Sequence, residues 1–81
     1  MFADYVHAAM HRATYELLED GTFFGSIPGF QGVWSNADTL EVCRDELAEV
    51  LEDWILLGIW LHHELPVIDG LDLNLRAAEV A

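Results

Sequence analysis

Residues 15–41 read YELLEDGTFFGSIPGFQGVWSNADTLE, and this stretch decides the fold. Two apolar segments, 13–18 and 22–27, lie on either side of an acidic turn that contains Asp20 and Gly21. Asp-Gly is typical of a tight primed turn between two strands, because both residues tolerate positive φ angles. The stretch therefore predicts a β-hairpin with its turn at residues 19–21.

A third strand follows the hairpin at residues 33–35. Pro28 and Gly29 end the second strand, and Gly32 ends the connection before the third. Val67 and Ile68 follow the long helix described below, and they are a candidate for one more short strand. The sequence thus predicts an antiparallel sheet of three or four strands.

One long amphipathic helix is predicted over residues 39–61. Asp38 followed by Glu41 forms a capping-box pattern at its start. Apolar residues then recur at gaps of three and four, which predicts one buried stripe: Leu40, Cys43, Leu47, Val50, Leu51, Trp54, Leu57 and Leu61. Past residue 54 the helix becomes apolar on nearly every side, so its end is expected to be buried against another subunit.

A shorter helix is predicted at residues 3–12, where apolar groups again show helical spacing. The 81 residues suffice for one domain, 1–81, with its core at 13–69. Residues 74–81 have no evident packing partner and are expected to form a flexible tail. The predicted fold class is α+β, with the sheet packed on one long helix and a short N-terminal helix.

Composition narrows the classes of partner. Fifteen acidic and three basic residues give a formal net charge of −12. Neutralising phosphates requires a Lys/Arg surface, so direct nucleic-acid binding is not expected. The charge suits a basic protein partner. The alternative interpretation is that it simply keeps an apolar chain soluble.

The location is predicted to be cytoplasmic. A single cysteine fits a reducing compartment. The start of the chain has no basic segment followed by an apolar run, and the longest apolar stretch, 54–61, is far shorter than a membrane span.

Histidine and cysteine are the first candidates to bind a metal or supply a nucleophile. His7 and His11 stand four residues apart and could share one ion, whereas neighbouring His62 and His63 would diverge by about 100° on a helix. No further Cys or His completes a zinc pattern. Cys43 falls on the apolar stripe with no activating base near it in sequence. We therefore expect no metal, no cofactor and no enzymatic activity.

A ridge of carboxylates runs along the other side of the long helix, at Glu41, Asp45, Glu49 and Glu52. Such a ridge can be simply the solvated face of the helix. It can also bind a divalent cation, hold an acid–base pair, or contact Arg and Lys side chains of a partner. Contact with a basic partner is the favoured functional interpretation.

The ordered motifs resemble the N-terminal domain of HicB-family antitoxins. The resemblance is carried by the hairpin with its acidic-Gly turn, by the Pro28-Gly29 loop, by Asp38-Thr39-Leu40-Glu41, and by the helix that continues to Trp54, and it covers about residues 13–69. It implies a HicB-like fold, which is dsRBD-like or partial RNase H-like. It also implies a non-catalytic module that binds and neutralises a small basic HicA-type mRNA-cleaving toxin.

Typical members of that family add a C-terminal DNA-binding segment. The sequence here ends at Ala81 with an acidic balance, so we expect a stand-alone short form without direct DNA binding. The alternative function is a stand-alone structural or small-ligand-binding dimer with no toxin partner.

Two sets of contact residues are predicted. Those for a basic partner are Glu19, Asp20, Glu41, Asp45 and Glu49. Those for self-association into a homodimer or higher homo-oligomer are Trp54, Leu57 and Trp60.

Overall fold

The computed structural model describes residues 2–74, in which two helices accompany one three-stranded sheet. The elements in chain order are α1 (Phe2–His11), β1 (Thr14–Leu17), β2 (Phe23–Ser26), β3 (Trp34–Ala37) and α2 (Leu40–Trp60). The strands lie in the order β1-β2-β3, and both pairs are antiparallel. The predicted α+β architecture is confirmed, including the short N-terminal helix.

The possible fourth strand at residues 67–68 does not join the sheet. Ile68 forms only an isolated bridge with Leu71. Between them Asp69 and Gly70 have φ angles of 50° and 78°, which define a primed turn. Asp69 and Gly70 therefore form the turn of a minimal hairpin between Ile68 and Leu71.

The turn between β1 and β2 differs from the predicted tight primed turn. Gly21 has a φ of 86°, but Asp20 is not in the positive-φ region. The Gly21 N–H donates to the Leu18 carbonyl at 3.0 Å, and the Leu18 N–H donates to the Thr22 carbonyl at 2.8 Å. This is a three-residue loop that ends in a left-handed glycine. The side chain of Asp20 favours it, because its carboxylate accepts from the Thr22 N–H and hydroxyl.

The N-cap of α2 is Thr39, so the predicted cap at Asp38 is wrong. Thr39 is extended, with φ −124° and ψ 156°, and its hydroxyl accepts from the Val42 N–H at 3.1 Å. Strand β3 continues to Ala37, the chain bends at residues 38–39, and the helix begins at Leu40. The boundary is displaced by one residue from the capping-box pattern.

The buried residues of α2 recur mostly at every fourth position, which is more regular than the predicted stripe. Its buried residues are Cys43, Leu47, Leu51, Ile55 and Gly58. Leu40, Leu57 and Leu61 from the predicted stripe are instead exposed. Steps of four residues turn the helix face by only about 40°, whereas a step of three turns it about 60° the other way. The row from 43 to 55 therefore stays on the sheet, and Leu57 turns away from it.

The core lies between α2 and one face of the sheet. The register aligns Tyr15, Gly25 and Ser35 in one row across the strands, and α2 contacts this row at Cys43. From α1, Tyr5 and Ala9 complete the core. The buried cluster consists of Tyr5, Ala9, Ile27, Phe30, Val33, Leu47, Leu51, Ile55, Leu65 and Ile68.

Hydrogen bonds hold the segment after α2 against the core. The Tyr5 hydroxyl donates to the Pro66 carbonyl, and burial together with the nearby charge of Asp72 raises the pKa of this phenol. The side-chain amide of Asn74 accepts from the Leu65 N–H and donates to the Leu65 carbonyl at 2.9 Å. Of the predicted flexible tail at 74–81, residues 75–81 lie outside the described residues. Among residues 2–74, neither helix is long and apolar enough to cross a membrane.

Candidate protein-binding surface

The strand register gathers acidic residues at one end of the sheet. Leu17 pairs with Phe23, and Phe23 pairs with Ala37, so the β1–β2 turn lies at the end where β3 leads into α2. Glu19 and Asp20 therefore lie at the same end of the molecule as the start of α2. Sequence separation alone does not show this grouping.

The carboxylates of α2 continue this acidic end along the outer side of the helix. Glu41, Asp45 and Glu49 are exposed, and each is one helical turn, about 6 Å, from the next. Glu52 extends the same exposed face. We call Glu41, Asp45, Glu49 and Glu52 the acidic ridge. It lies away from the buried Cys43–Ile55 row.

These charges are not neutralised within the part of the chain that the structure describes. An ion pair there joins Arg12 to Asp69 at 2.6 Å, and it lies far along the chain from the ridge. None of Glu19, Asp20 or the acidic ridge forms an ion pair with another of residues 2–74. All five carboxylates predicted to contact a basic partner are thus exposed, and all are available to cations of another protein.

Asp20 also has a local structural role. Hydrogen bonds from the Thr22 hydroxyl and backbone N–H lower the pKa of its carboxyl. Because these donors stabilise the charged form in the folded turn, the stabilisation exists above the unfolded pKa, near 3.8, and is lost as the pH falls through the lowered folded value.

We expect Asp20→Ala to be less stable than the wild type at pH 7, with a difference that shrinks as the pH falls below 3.8. Urea titrations from pH 2 to 7 would measure it. Glu19→Ala, in the same turn, is the control and should show no such convergence, since no hydrogen bond to its carboxylate is present among residues 2–74. A stability difference for Asp20→Ala that is constant across this pH range would contradict the role of its charge.

The opposite end of α2 is apolar. Trp54 is half-buried, with its ring centroid 5.2 Å from that of Phe30. Leu57 and Trp60 are 56% and 80% exposed. Of the three residues predicted for self-association, the structure places one against the core and two on the surface.

The histidines do not gather into a metal site. The rings of His7 and His11 have centroids 4.8 Å apart, which fits their four-residue spacing on α1. His62 and His63 line a shallow hollow of about 310 Å³ beside Leu65. Within residues 2–74, no three His, Cys, Asp or Glu side chains stand close enough together to hold a metal ion.

Cys43 is a packing residue at the helix–sheet contact. It is fully buried, its Sγ lies 3.2 Å from the Ser35 hydroxyl oxygen, and that hydroxyl donates to the Cys43 carbonyl at 2.8 Å. Buried free cysteines of this kind act as small hydrophobes.

Two surface features were not predicted from the sequence. The rings of Phe24 and Trp34 stack at 5.9 Å on the face of the sheet away from α2. A groove of about 450 Å³ lies between α1 and α2, with Phe2, Val6 and Met10 among its apolar lining residues. The alternation of residues in β2 and β3 could have indicated the stack, whereas the groove depends on how the helices pack.

Comparisons with known proteins agree with the fold and identify the family. A family model described as UPF0150-like matches residues 4–66. The structure is similar to the crystal structure of TTHA0281 from Thermus thermophilus, at 33% identity and a TM-score of 0.84, over 93% of this chain and 94% of that one. No curated protein matches the sequence.

The family match includes α1 as well as the sheet and α2, so α1 is part of the matched domain. The predicted resemblance is confirmed in part, at the level of a small UPF0150-like domain. Match and structural similarity together cover most of the molecule, and the chain belongs to the UPF0150-like family.

Proposed function

We propose that this protein is a HicB-type antitoxin module that binds and neutralises a small basic HicA-type toxin. The observation that carries the proposal is the acidic end of the domain, where the β1–β2 turn and the ridge on α2 present carboxylates that form no ion pair within residues 2–74. The family supports it, because the UPF0150-like match covers most of the residues that carry the resemblance to antitoxin domains. The role is binding, without catalysis by this chain.

The charges suggest how neutralisation works. An RNA-cleaving protein needs a cationic surface to hold the phosphates of its substrate. Helix α2 carries six carboxylates and one arginine, so its field attracts the same cationic surface. When the acidic ridge covers those cations, RNA is excluded by occupancy and by like-charge repulsion. The net charge of −12 speeds the encounter as well.

Charge reversal on the ridge tests this proposal. The partner to use is the small basic protein encoded in the adjacent reading frame, made in a catalytically inactive form. We expect Asp45→Lys combined with Glu49→Lys to weaken binding by calorimetry at least about tenfold, and to abolish rescue of growth when the active toxin is co-expressed.

A matched control carries the same charge change elsewhere. Glu16→Lys combined with Glu64→Lys also raises the net charge by four units, at exposed positions outside the ridge. This variant should keep most of the affinity, because only long-range steering is reduced. Equal loss in both variants would show that net charge alone acts, and no binding by the wild type would overturn the proposal.

The second candidate is a structural or small-ligand-binding dimer with no toxin partner. The groove between α1 and α2 favours it, since its volume of about 450 Å³ is that of a small-molecule site. Inspection of the neighbouring genes distinguishes the two functions. The antitoxin requires a neighbouring gene for a short basic protein, whereas the alternative requires none.

A further inference from the structure

The groove between α1 and α2 leaves apolar side chains open to solvent. Phe2, Val6, Met10 and Ala48 are among the residues that line it. Val6 and Met10 pack against the core on one side but are only partly buried, and Phe2 is 36% exposed. Apolar surface of this kind, next to polar residues, is typical of a place where another protein binds.

Part of the acidic ridge borders this groove. Asp45 and Glu52 belong to the ridge and also line the groove. They are seven residues apart, which places them on one line of the helix surface, about 10 Å from each other. Neither forms an ion pair within residues 2–74. An apolar centre with a charged edge is the usual construction of a protein interface, so groove and ridge can serve as one continuous binding surface.

Arg44 also lines the groove, as does His7. On the helix Arg44 is turned by about 100° from Asp45. Burial raises the pKa of Tyr15, and the charge of Arg44 partly opposes this rise, so Arg44 lies towards β1. The α2 side chains along the line from Asp45 to Glu52 are therefore acidic or apolar, which favours a basic ligand over an acidic one.

We propose that the groove holds an amphipathic helix of a basic partner protein, whose apolar side chains enter the groove while its Lys or Arg side chains contact Asp45 and Glu52. For the identity of the partner this inference rests on the proposed function, and it adds an apolar anchor to the charge contacts of the ridge. In this mode of recognition the helix inserts residues that recur at gaps of three and four.

The dimensions of the groove suit a helix. Its lining runs from residue 2 to 10 on α1 and from residue 44 to 52 on α2, which is about 12 Å along each helix. Two turns of a partner helix have about this length. Lys or Arg residues seven positions apart on that helix are separated by about 10 Å, as Asp45 and Glu52 are. The flexible side chain of Met10 can adapt to the apolar residue that it meets.

A synthetic peptide tests the groove without the natural partner. The probe is a helical peptide of about 14 residues, or four turns, made of leucine and lysine with the leucines on one face. The control peptide has the same composition, in an order that spreads the leucines around the helix. We expect the probe to bind at least about tenfold more tightly than the control peptide by calorimetry.

Met10 reports on whether the groove is occupied. The chain contains two methionines, Met1 and Met10, so methyl-labelled methionine gives two NMR signals, which Met10→Leu assigns. We expect the probe to shift the Met10 signal until it saturates, with the dissociation constant that calorimetry gives.

Ala48→Phe should weaken binding of the probe at least about tenfold, because the added ring fills the groove. Val42→Phe is the matched control. It adds a ring to the same helix at a 47% exposed position that does not line the groove, and it should keep the wild-type affinity. Met10→Gln, which keeps the length of the side chain but makes the lining polar, should weaken binding as well. Circular dichroism would establish that each variant is folded.

Three results would overturn the inference: equal affinity for both peptides, an unshifted Met10 signal, or equal affinity of the Ala48→Phe and Val42→Phe proteins. Its failure is distinguishable from failure of the antitoxin proposal. A wild type that binds the probe in the groove but does not bind the neighbouring basic protein contradicts the antitoxin proposal alone. A neighbouring protein whose binding is lost in Asp45→Lys with Glu49→Lys, but is unchanged in Ala48→Phe, contradicts the groove inference alone.

Discussion

Replacing Leu47 with alanine should lower the free energy of unfolding by about 2–5 kcal/mol, while the same replacement at Leu40 should cost less than about 1 kcal/mol. Both leucines belong to α2 and to the apolar stripe seen in the sequence. In the structure Leu47 is fully buried, whereas Leu40 is 43% exposed. Only Leu47→Ala leaves a cavity, and a chain of 81 residues has little stability to spare.

Urea denaturation of the two variants, followed by circular dichroism, measures the difference. Leu40→Ala is a matched control, since the same atoms are removed from the same helix. Similar losses in both variants would mean that the face of α2 in contact with the sheet has been assigned wrongly.

Local sequence patterns predicted the helices and strands, because each helix or strand depends mainly on residues that are close together in the chain. The positions of both helices, the three strands and the exposure of Glu41, Asp45 and Glu49 follow from spacing and turn residues. The predictions that were wrong depend on how elements meet. Ile55 replaces Leu57 in the core because the direction of α2 over the sheet selects one row among several apolar ones.

The two Asp-Gly turns also show that local sequence does not determine every detail of the structure. An Asp-Gly pair occurs at residues 20–21 and again at 69–70, and only the second pair forms the primed turn. At the first, the hydrogen bonds from Thr22 to Asp20 favour a longer loop. Because the dipeptide is the same at both sites, it does not by itself determine the type of turn.

The candidate surface was predictable residue by residue, though not as an arrangement. Periodicity predicted exposed carboxylates on α2. The strand register was needed to show that Glu19 and Asp20 lie at the same end as Glu41. Likewise, three residues were predicted for self-association, but only the packing of Phe30 distinguishes Trp54 from the exposed Trp60.

Gly25→Val should be one of the most damaging single substitutions in this chain, because α2 packs closely on the central strand at Gly25. Gly25 lies in the central strand and faces the helix. A Cβ atom built on it would come within 3.1 Å of both the Cys43 Sγ and the ring of Tyr15. Cys43 is fully buried, and the half-buried ring of Tyr15 packs against the core, so the branched side chain of valine requires both to shift. We expect a loss of about 3 kcal/mol or more, at or above the usual upper limit for overpacking.

Ser26→Val separates this steric effect from a change in strand propensity. Ser26 is the next residue of β2, and its side chain points to the face of the sheet away from α2. Valine there should be neutral or slightly stabilising, because β-branched residues suit strands. Thermal unfolding of both variants is the measurement. If Gly25→Val melts within a few degrees of the wild type, α2 does not pack as closely on β2 as the 3.1 Å approach requires.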